Sequence, residues 1–470
     1  MTKDSTRNAQ KTGGIADNGE TAKEATRAVV IVPVLPQRFT DGGKSDENNR
    51  PKYQREFQRS DEARLEEAEG LARAIDLDLV HSDIVQVAAP RPATLLGTGK
   101  VEAIGKIVEA SHAELVIVDH PLTPVQQRNL EKEWNAKVLD RTGLILEIFG
   151  RRAQTKEGAL QVELAHLTYQ KGRLVRSWTH LERQRGGGGF LGGPGETQIE
   201  ADRRALQEKI LRIKRELETV VRTRTLHRAK RKKVPHPVVA LVGYTNAGKS
   251  TLFNRLTGAG VIAEDMLFAT LDPTLRRIRL EHGETIILSD TVGFISNLPT
   301  HLVAAFRATL EEVVEAELIL HVRDIADPDT AAQAEDVHAI MTSLGIERGD
   351  TKRIIEVWNK IDLLDDAGRE AAQRLSAAAT GNEHPIPVSA ITGEGVDALL
   401  KEIEDRIAGK LSHVKITLQH NQMRLMDWIY QHSSNVKRKD LDDGSIALTM
   451  DMTVNSQAML DDKILSKNNR

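Results

Sequence analysis

Eight residues decide the fold: Gly243-Tyr244-Thr245-Asn246-Ala247-Gly248-Lys249-Ser250, which match the pattern G-x-x-x-x-G-K-[ST]. The apolar residues 238–242 before them predict a strand, and residues 251–256 after them predict a helix. Such a turn surrounds a phosphate with backbone N–H groups and the positive end of a helix dipole. We therefore expect these residues and Thr251 to bind nucleotide phosphates, with Lys249 at the β- and γ-phosphates and Ser250 on Mg²⁺. The alternative is an ordinary glycine-containing turn.

A second motif, Asp290-Thr291-Val292-Gly293, follows the apolar residues 286–288. Alone, the pattern D-x-x-G is typical of a surface turn. Placed after a phosphate-binding loop, it predicts that Asp290 holds Mg²⁺ through water and that the Gly293 N–H faces the γ-phosphate.

A third motif, Asn359-Lys360-Ile361-Asp362, follows another predicted strand. A carboxylate accepts hydrogen bonds from guanine N1–H and its exocyclic amine, a donor pair that adenine lacks, so Asp362 predicts guanine specificity. Asn359 suits guanine N7, and the Lys360 stem can cover the ring face. Ser389-Ala390, after the next strand, can offer backbone N–H groups to guanine O6. As a lone tetrapeptide, the motif would instead indicate a helix-capping turn.

Thr270 lies in Phe268-Ala269-Thr270-Leu271-Asp272-Pro273, between the phosphate loop and Asp290. A mobile threonine there can ligate Mg²⁺ and sense the γ-phosphate, and Thr251 and Thr274 compete for this role. The candidate catalytic residues are therefore Lys249, Thr270 and Gly293. The candidate metal ligands are Ser250, Thr270 and Asp290.

Composition excludes several classes of protein. The 470 residues include no cysteine, which excludes disulfide frameworks, thiolate zinc sites, iron–sulfur clusters and cysteine nucleophiles. The balance of 65 Lys+Arg against 68 Asp+Glu gives a net charge of −3. No apolar run approaches the roughly 20 residues of a membrane span, and the N-terminus lacks the pattern of a secretory signal. We expect a cytoplasmic protein without integral membrane insertion.

Strand and helix patterns alternate along most of the chain and predict an α/β fold. We expect a P-loop GTPase domain, with a mostly parallel sheet and helices on both faces, over residues 235–410. A small α/β domain over 28–140, with a flexible insertion at 37–61, and a long helical arm over 141–234 should precede it. The arm contains a glycine-rich loop at 186–195. A disordered tail, 1–27, and a small C-terminal α/β domain, 411–470, complete the prediction.

The end of the arm is strongly basic. Residues 203–233 contain 13 Lys/Arg and 3 Glu, a local net charge of +10. Clustered cations bind nucleic-acid phosphates with little sequence preference, so we expect this segment to contact RNA. The alternative is a solvated helix face.

The motif order is that of translation-factor-like GTPases, and further segments resemble the HflX family. These segments are Gly97-Thr98-Gly99-Lys100, Val118-Asp119, Gln126-Gln127-Arg128-Asn129-Leu130, Asp140-Arg141-Thr142, Ala153-Gln154-Thr155 and Gly193-Pro194-Gly195-Glu196-Thr197-Gln198 before Asp202-Arg203-Arg204. The resemblance implies GTP hydrolysis, binding to the large ribosomal subunit and its RNA, and dissociation or rescue of stalled or idle ribosomes. A monomer is expected.

Two positions refine this expectation. Phe294 follows Gly293 where Ras-like enzymes have a glutamine that orients water, so unaided turnover should be slow. Asn246 stands where potassium-activated GTPases, which this loop resembles, use an asparagine near K⁺; we expect K⁺ to stimulate hydrolysis.

Two other functions stay open. One is a nucleotide-dependent RNA-remodelling protein, whose N-terminal domain binds or hydrolyses ATP or clamps RNA. The other is a GTP-gated scaffold for a non-ribosomal partner. The segment 97–100 is read as a tight turn into a helix, because it lacks the spacing of a phosphate-binding loop.

Overall fold

The computed structural model describes residues 25–36, 59–184, 194–231, 236–258, 267–296, 307–379, 384–441 and 443–468. For 174–184, 194–199, 224–231, 307–309 and 466–468 only the backbone is described. Within these ranges the chain forms three sheets flanked by helices, with two long helices between the first and second sheets. The predicted α/β class, with a parallel-rich sheet in the nucleotide-binding part, is confirmed.

The first sheet contains four parallel strands, β1 (Arg27–Val34), β2 (Asp78–Gln86), β3 (Leu115–Val118) and β4 (Lys137–Asp140), in the order β2-β1-β3-β4. Four helices cover it: α1 (Asp61–Arg73), α2 (Thr98–Ala110), α3 (Pro124–Trp134) and α4 (Arg141–Arg152). Because strand side chains alternate, one face of β1 packs against α2 and α3, and the other packs against α1 and α4. Both faces are therefore buried, as is usual for parallel sheets. Helix α2 begins directly after Gly97, as the turn prediction required.

Two long helices form the arm, α5 (Lys156–Gln184) and α6 (Pro194–Arg231). They pack through a small apolar core built from Leu160, Leu167, Ile210 and Ile213. Helix spacing places these residues on facing stripes, so the two helices brace each other outside the sheet domains.

The arm begins later than predicted. Residues 141–152 form α4, whose Leu144, Ile145, Ile148 and Phe149 are buried in the core under the first sheet. The sequence pattern showed a helix here but not which surface it covers. The helix therefore belongs to the N-terminal domain, and the arm starts at Lys156.

The predicted insertion also ends earlier than residue 61. Ser60 caps α1 by accepting a hydrogen bond from the Ala63 N–H, and Arg59 is held by Glu67 and Tyr244. Residues 37–58 lie outside the described residues. So do residues 1–24 of the predicted tail and 185–193 of the glycine-rich loop, while Pro194 and Gly195 already belong to α6.

The second sheet has six strands in the order β10-β9-β8-β5-β7-β6. They are β5 (Val238–Gly243), β6 (Thr274–Arg279), β7 (Thr285–Asp290), β8 (Leu318–Asp324), β9 (Ile354–Asn359) and β10 (Ile386–Pro387). All neighbours are parallel except β6, which is antiparallel to β7. Its helices are α7 (Lys249–Thr257), α8 (Arg307–Glu315), α9 (Thr330–Ser343), α10 (Asp366–Ala378) and α11 (Val396–Ala408). The predicted motifs all follow carboxyl ends of its parallel strands, where ligands bind in such folds.

The C-terminal part contains a three-stranded antiparallel sheet. Its elements are β11 (Leu411–Leu418), α12 (Met426–His432), β12 (Ser434–Asp440), β13 (Ile446–Thr453) and α13 (Val454–Asn468). The sequence pattern predicts a strand at Val414–Leu418, a helix at Met423–Gln431 and a strand at Ser445–Met450, which overlap β11, α12 and β13, but it does not predict β12 or α13. Strand β12 is mostly exposed and polar, so it carries little of the apolar alternation that reveals a strand.

The first and second sheet domains share a continuous apolar core. Phe149 of α4 meets Phe268 edge to face, with ring centroids 4.9 Å apart and planes at 88°. Phe294 is buried in the same cluster. Across the described residues, every helix is too short or too polar to span a membrane.

Candidate nucleotide site

The loop between β5 and α7 is shaped by two glycines. Gly243 has φ +156°, and a Cβ there would lie 2.1 Å from the carbonyl oxygen of Val322. Gly248 has φ +86°, and a Cβ there would lie 2.2 Å from Nδ2 of Asn359. Only glycine fits such close approaches without displacing neighbouring strands. The loop therefore passes tightly over the strand ends and leads into α7 at Lys249.

Lys249 lies inside this loop. Its buried Nζ donates a hydrogen bond to the Tyr244 carbonyl oxygen at 2.7 Å. Burial lowers the pKa of Lys249 to about 8, although Asp290 acts in the opposite direction. Gly293 is close by, since a Cβ there would lie 3.1 Å from Nζ and 2.8 Å from Cγ2 of Thr245. The structure thus brings the first and second motifs together around one ammonium group.

Three side-chain oxygens meet beside the loop. The Ser250 hydroxyl donates to Oδ2 of Asp290 at 2.7 Å, and the Thr270 hydroxyl donates to the same oxygen at 2.9 Å. The two hydroxyl oxygens are 3.0 Å apart. Oδ1 of Asp290 is buried without a hydrogen-bond partner in the described part of the chain, and burial raises the pKa of this carboxyl. These are oxygen donors of the kind that Mg²⁺ prefers.

Thr270 was one of three threonines considered from sequence, and its hydroxyl is the one that contacts Asp290. Thr251 of α7, next to Ser250, lines a small cavity beside the loop, which Thr270 also lines. Thr274 begins β6 and pairs with Asp290 through the strand register. Asn246 has a left-handed backbone, φ +59°, and also lines the cavity.

The third motif lies at the ends of β9 and β10. Lys360 has φ +67°, and its Nζ lies 2.7 Å from Oδ2 of Asp324. Oδ1 of Asp362 is buried without a hydrogen-bond partner among the described residues. A carboxylate oxygen in that state costs free energy unless a donor meets it, and a guanine edge supplies such donors.

Asn359 and the 389–390 segment make contacts within the chain that the sequence did not predict. Nδ2 of Asn359 donates to the Ala247 carbonyl oxygen at 2.9 Å, and its Oδ1 accepts from the Ala390 N–H at 3.0 Å. The Ser389 N–H donates to the Glu394 carbonyl oxygen. The Asn359 side chain therefore links the phosphate loop to the segment after β10. The long-range pairing that recruits it is invisible in a tetrapeptide.

A wider cleft of about 690 Å³ opens beside the loop and is within the usual size range of ligand pockets. Asn246, Asp324 and Lys360 line it from the second sheet domain, and Glu62 and Glu66 of α1 line it from the first. The N-terminal domain thus forms one wall of this cleft.

Four family models match successive parts of the chain. They are described as GTP-binding GTPase N-terminal (residues 62–150), GTP-binding GTPase Middle Region (152–231), 50S ribosome-binding GTPase (238–360) and HflX C-terminal domain (374–470). GTPase HflX of Magnetococcus marinus is 49% identical over 81% of this chain and 86% of its own length. GTPase HflX of Escherichia coli is 44% identical over 83% and 90%, respectively.

The chain belongs to the HflX family. It is accordingly a GTPase that binds GTP and hydrolyses it to GDP and phosphate. A GTP-binding protein of Sulfolobus solfataricus, solved with GDP, is similar over 81% of this chain and 98% of its own, at 23% identity and a TM-score of 0.41.

The contacts between the first two domains of this HflX chain were not predicted. Glu67 of α1 is buried and accepts hydrogen bonds from Arg141, Arg59 and the Tyr244 hydroxyl. Arg141 also bonds Asp119 and donates to the Ser296 carbonyl oxygen at 3.0 Å. The sequence marked Asp119 and Arg141 only as part of the HflX resemblance and gave no signal at Glu67.

Burial raises the pKa of Glu67, but the neighbouring Arg141 and Arg59 outweigh it and hold this pKa below its ordinary value. The Ser296 N–H donates to the Tyr244 hydroxyl at 2.9 Å. The phosphate loop of this HflX protein and the segment after Gly293 are therefore fastened to one buried ion cluster of the N-terminal domain.

Proposed function

We propose that this GTPase acts on the large ribosomal subunit in the cytoplasm, as a monomer, and promotes the dissociation or rescue of stalled or idle ribosomes. The family model over residues 238–360, described as a 50S ribosome-binding GTPase, supports the choice of partner. The observation that carries the proposal is the series of exposed basic side chains along α6.

Seven basic side chains of α6 between residues 200 and 223 are exposed: Arg203, Arg204, Lys209, Arg212, Lys214, Arg215 and Arg222. The apolar residues Ile210 and Ile213 turn inward against α5. The arm thus presents these cations to solvent, interspersed with exposed acids, along a helix that packs against α5. Such a surface matches an RNA backbone, whose phosphates repeat at close spacing.

The residues beside the loop fit Mg²⁺. Ser250, Thr270 and Asp290 would hold it, since the two hydroxyls meet at Oδ2 of Asp290 and the other oxygen of that carboxylate, Oδ1, is buried without a hydrogen-bond partner among the described residues. When bound, the ion neutralises charge on the β- and γ-phosphates. Lys249 would bind the same phosphates, the loop N–H groups would orient them, and Gly293 leaves room for its N–H to face the γ-phosphate.

Selectivity for guanine is assigned to Asp362, whose buried Oδ1 accepts no hydrogen bond from the described residues. The Lys360 stem covers the ring face, and Asn359 holds the loop in place. Asn246 is assigned to K⁺ beside the phosphates.

Phe294 gives the proposal its regulatory element. Its ring is buried, and its carbonyl oxygen accepts the Thr245 N–H at 2.7 Å, so it offers no group to a water molecule. Unaided hydrolysis should be slow, and the ribosome would complete the site. GTP would favour the state that binds the ribosome, and hydrolysis would permit release. A non-hydrolysable analogue should then suffice for subunit separation, and a strict need for hydrolysis would refute this order.

The experiment is co-sedimentation of the GTP-bound protein with isolated large subunits over a range of salt concentrations. One variant replaces four exposed arm cations by glutamine: Arg204, Lys214, Arg215 and Arg222. A matched control neutralises four exposed acids of the same helix: Glu200, Asp202, Glu208 and Glu218.

The proposal predicts that the cation variant reduces the slope of log affinity against log salt by about 1 per lost phosphate contact, while the control binds as well as or better than the parent. No co-sedimentation of the parent would favour the scaffold function. An unchanged salt slope would exclude these four side chains from the interface, and ATP-dependent unwinding by the protein would favour RNA remodelling.

A further inference from the structure

Asp272 joins the nucleotide-binding domain to the arm. Its Oδ2 accepts the backbone N–H groups of Gln154 at 2.9 Å and Thr155 at 2.8 Å, and its Oδ1 accepts the Thr155 hydroxyl. Thr155 immediately precedes α5, and its hydroxyl oxygen in turn accepts the Gly158 N–H at 2.9 Å. A carboxylate of the nucleotide-binding domain thus accepts hydrogen bonds at the N-terminus of the 29-residue arm helix α5. Negative charge is favourable at that end because of the helix dipole.

Gly158 leaves the space that this contact needs. A Cβ at Gly158 would lie 2.4 Å from Oδ1 of Asp272 and 3.3 Å from its Cγ. Any side chain there would displace the carboxylate from the end of α5. The arm helix supplies a natural comparison at Gly172, where a Cβ would meet nothing within 4 Å.

Asp272 lies two residues after Thr270, and the neighbouring apolar residues of this segment are held by core packing. Leu271 and Phe268 are both buried in the core shared by the two domains, and Phe268 packs edge to face on Phe149. Between these anchors, the Thr270 hydroxyl reaches Asp290 and Ser250. The position of that hydroxyl is therefore set by contacts on both sides, and Asp272 provides the only described side-chain bonds from residues 271–273 to the arm.

We propose that Asp272 is a positioning residue for GTP hydrolysis: by binding the N-terminus of the arm helix it holds Thr270 at the Mg²⁺ and γ-phosphate position. This rests on the proposed role of Thr270. The coupling is reciprocal, because a nucleotide that favours the inward position of Thr270 must equally favour the capped arm helix. The γ-phosphate thereby acts on the basic arm, some of whose residues we assign to RNA.

The test is single-turnover hydrolysis of bound GTP by the full chain, without ribosomes, as a function of Mg²⁺ concentration. Four variants are compared with the parent: Gly158→Ala, Gly172→Ala, Asp272→Ala and Asp272→Asn. Helix content and GTP affinity are measured for each, so that a misfolded variant is recognised.

We expect Gly158→Ala and Asp272→Ala to slow hydrolysis about tenfold and to raise the Mg²⁺ concentration for half-maximal rate, because displaced catalytic groups cost rate steeply. GTP affinity should change less than about twofold, since the loop and Asp362 are untouched. Asp272→Asn keeps an acceptor oxygen and should recover part of the rate. Gly172→Ala should behave like the parent.

Thr270→Ala distinguishes a failure of the positioning role of Asp272 from a failure of the proposed Mg²⁺ role of Thr270. If it lowers the rate and weakens Mg²⁺ dependence while Gly158→Ala and both Asp272 variants match the parent, the positioning role is overturned and the site proposal stands. If Thr270→Ala itself changes neither quantity, the proposed Mg²⁺ role of Thr270 fails, and this inference fails with it.

Discussion

The hydroxyl of Tyr244, in the phosphate-binding loop, donates a hydrogen bond to the buried carboxylate of Glu67 in helix α1 of the N-terminal domain. Arg141 and Arg59 bind the same carboxylate. The nucleotide loop and the N-terminal domain therefore share one charged cluster with little access to water. Removing one member of such a buried ion pair lowers the stability of the fold strongly, because the other charge is then left buried without its partner.

The first prediction concerns the stability of this cluster. Glu67→Ala should lower the free energy of unfolding by about 3 kcal/mol, because it leaves Arg141 buried with one carboxylate partner fewer. Tyr244→Phe removes one hydrogen bond and should cost about 1 kcal/mol. Arg73→Gln, which breaks a surface pair with Glu69, should cost less than about 1 kcal/mol. Urea unfolding measures all three, and equal costs for Glu67→Ala and Arg73→Gln would contradict the ranking.

The second prediction uses Asp336 of α9. Burial, and to a lesser degree the charge of Glu67, raises the pKa of Asp336 from 3.8 to about 6. The folded state therefore holds this proton more tightly than the unfolded state, and the ionised group destabilises the fold increasingly as the pH rises from about 4 to about 6. Asp336→Asn should stabilise the protein by about 1–3 kcal/mol at pH 8 and by little at pH 4.

Asp462→Asn, at an exposed carboxyl of α13, is the control for that measurement. It should shift the urea midpoint little at either pH. A gain from Asp336→Asn that is the same at pH 4 and pH 8 would show that the raised pKa is not its cause.

The third prediction concerns the base. Asp362→Ala removes the buried, unpartnered carboxylate oxygen and should weaken GTP binding about 100-fold or more relative to ATP binding, because the donors of guanine lose their acceptor. Asp366→Ala, four residues on and exposed, should leave the preference unchanged. Competition binding with both nucleotides provides the measurement. A retained GTP preference in Asp362→Ala would assign base recognition to other residues.

The fourth prediction concerns Asn246. Hydrolysis should be faster in K⁺ than in Na⁺ at equal ionic strength, because Asn246 occupies the position at which potassium-activated GTPases, which this loop resembles, use an asparagine near K⁺. Equal rates in the two salts would show that K⁺ does not stimulate hydrolysis by this protein. A K⁺ effect that persists in Asn246→Ala would place the cation elsewhere.

Short motifs made the nucleotide-binding part predictable from sequence. The loop 243–250 and residues 290 and 359–362 each follow a strand, so the parallel sheet brings them together without further information. Long-range burial was not predictable. Glu67 lies on a helix with no local feature that distinguishes it from its acidic neighbours, and two of its partners, Arg141 and Tyr244, are 74 and 177 residues away in the sequence.

The same limit applies to helices and strands. The helical arm predicted over 141–234 is helical at its start, but the prediction did not contain the break at 153–155, where Asp272 binds. Strand β12 was missed because most of its side chains are exposed. Local patterns indicate which residues are buried only when one face of an element is clearly apolar.

The central claim is that the large ribosomal subunit completes a catalytic site in which Phe294 orients no water. The most direct measurement is GTP turnover by the purified protein with and without isolated large subunits, beside Lys249→Ala, whose loop lacks the ammonium group. We expect strong stimulation of the parent by large subunits and none of Lys249→Ala. Unchanged turnover of the parent, with GTP binding intact, would contradict the claim.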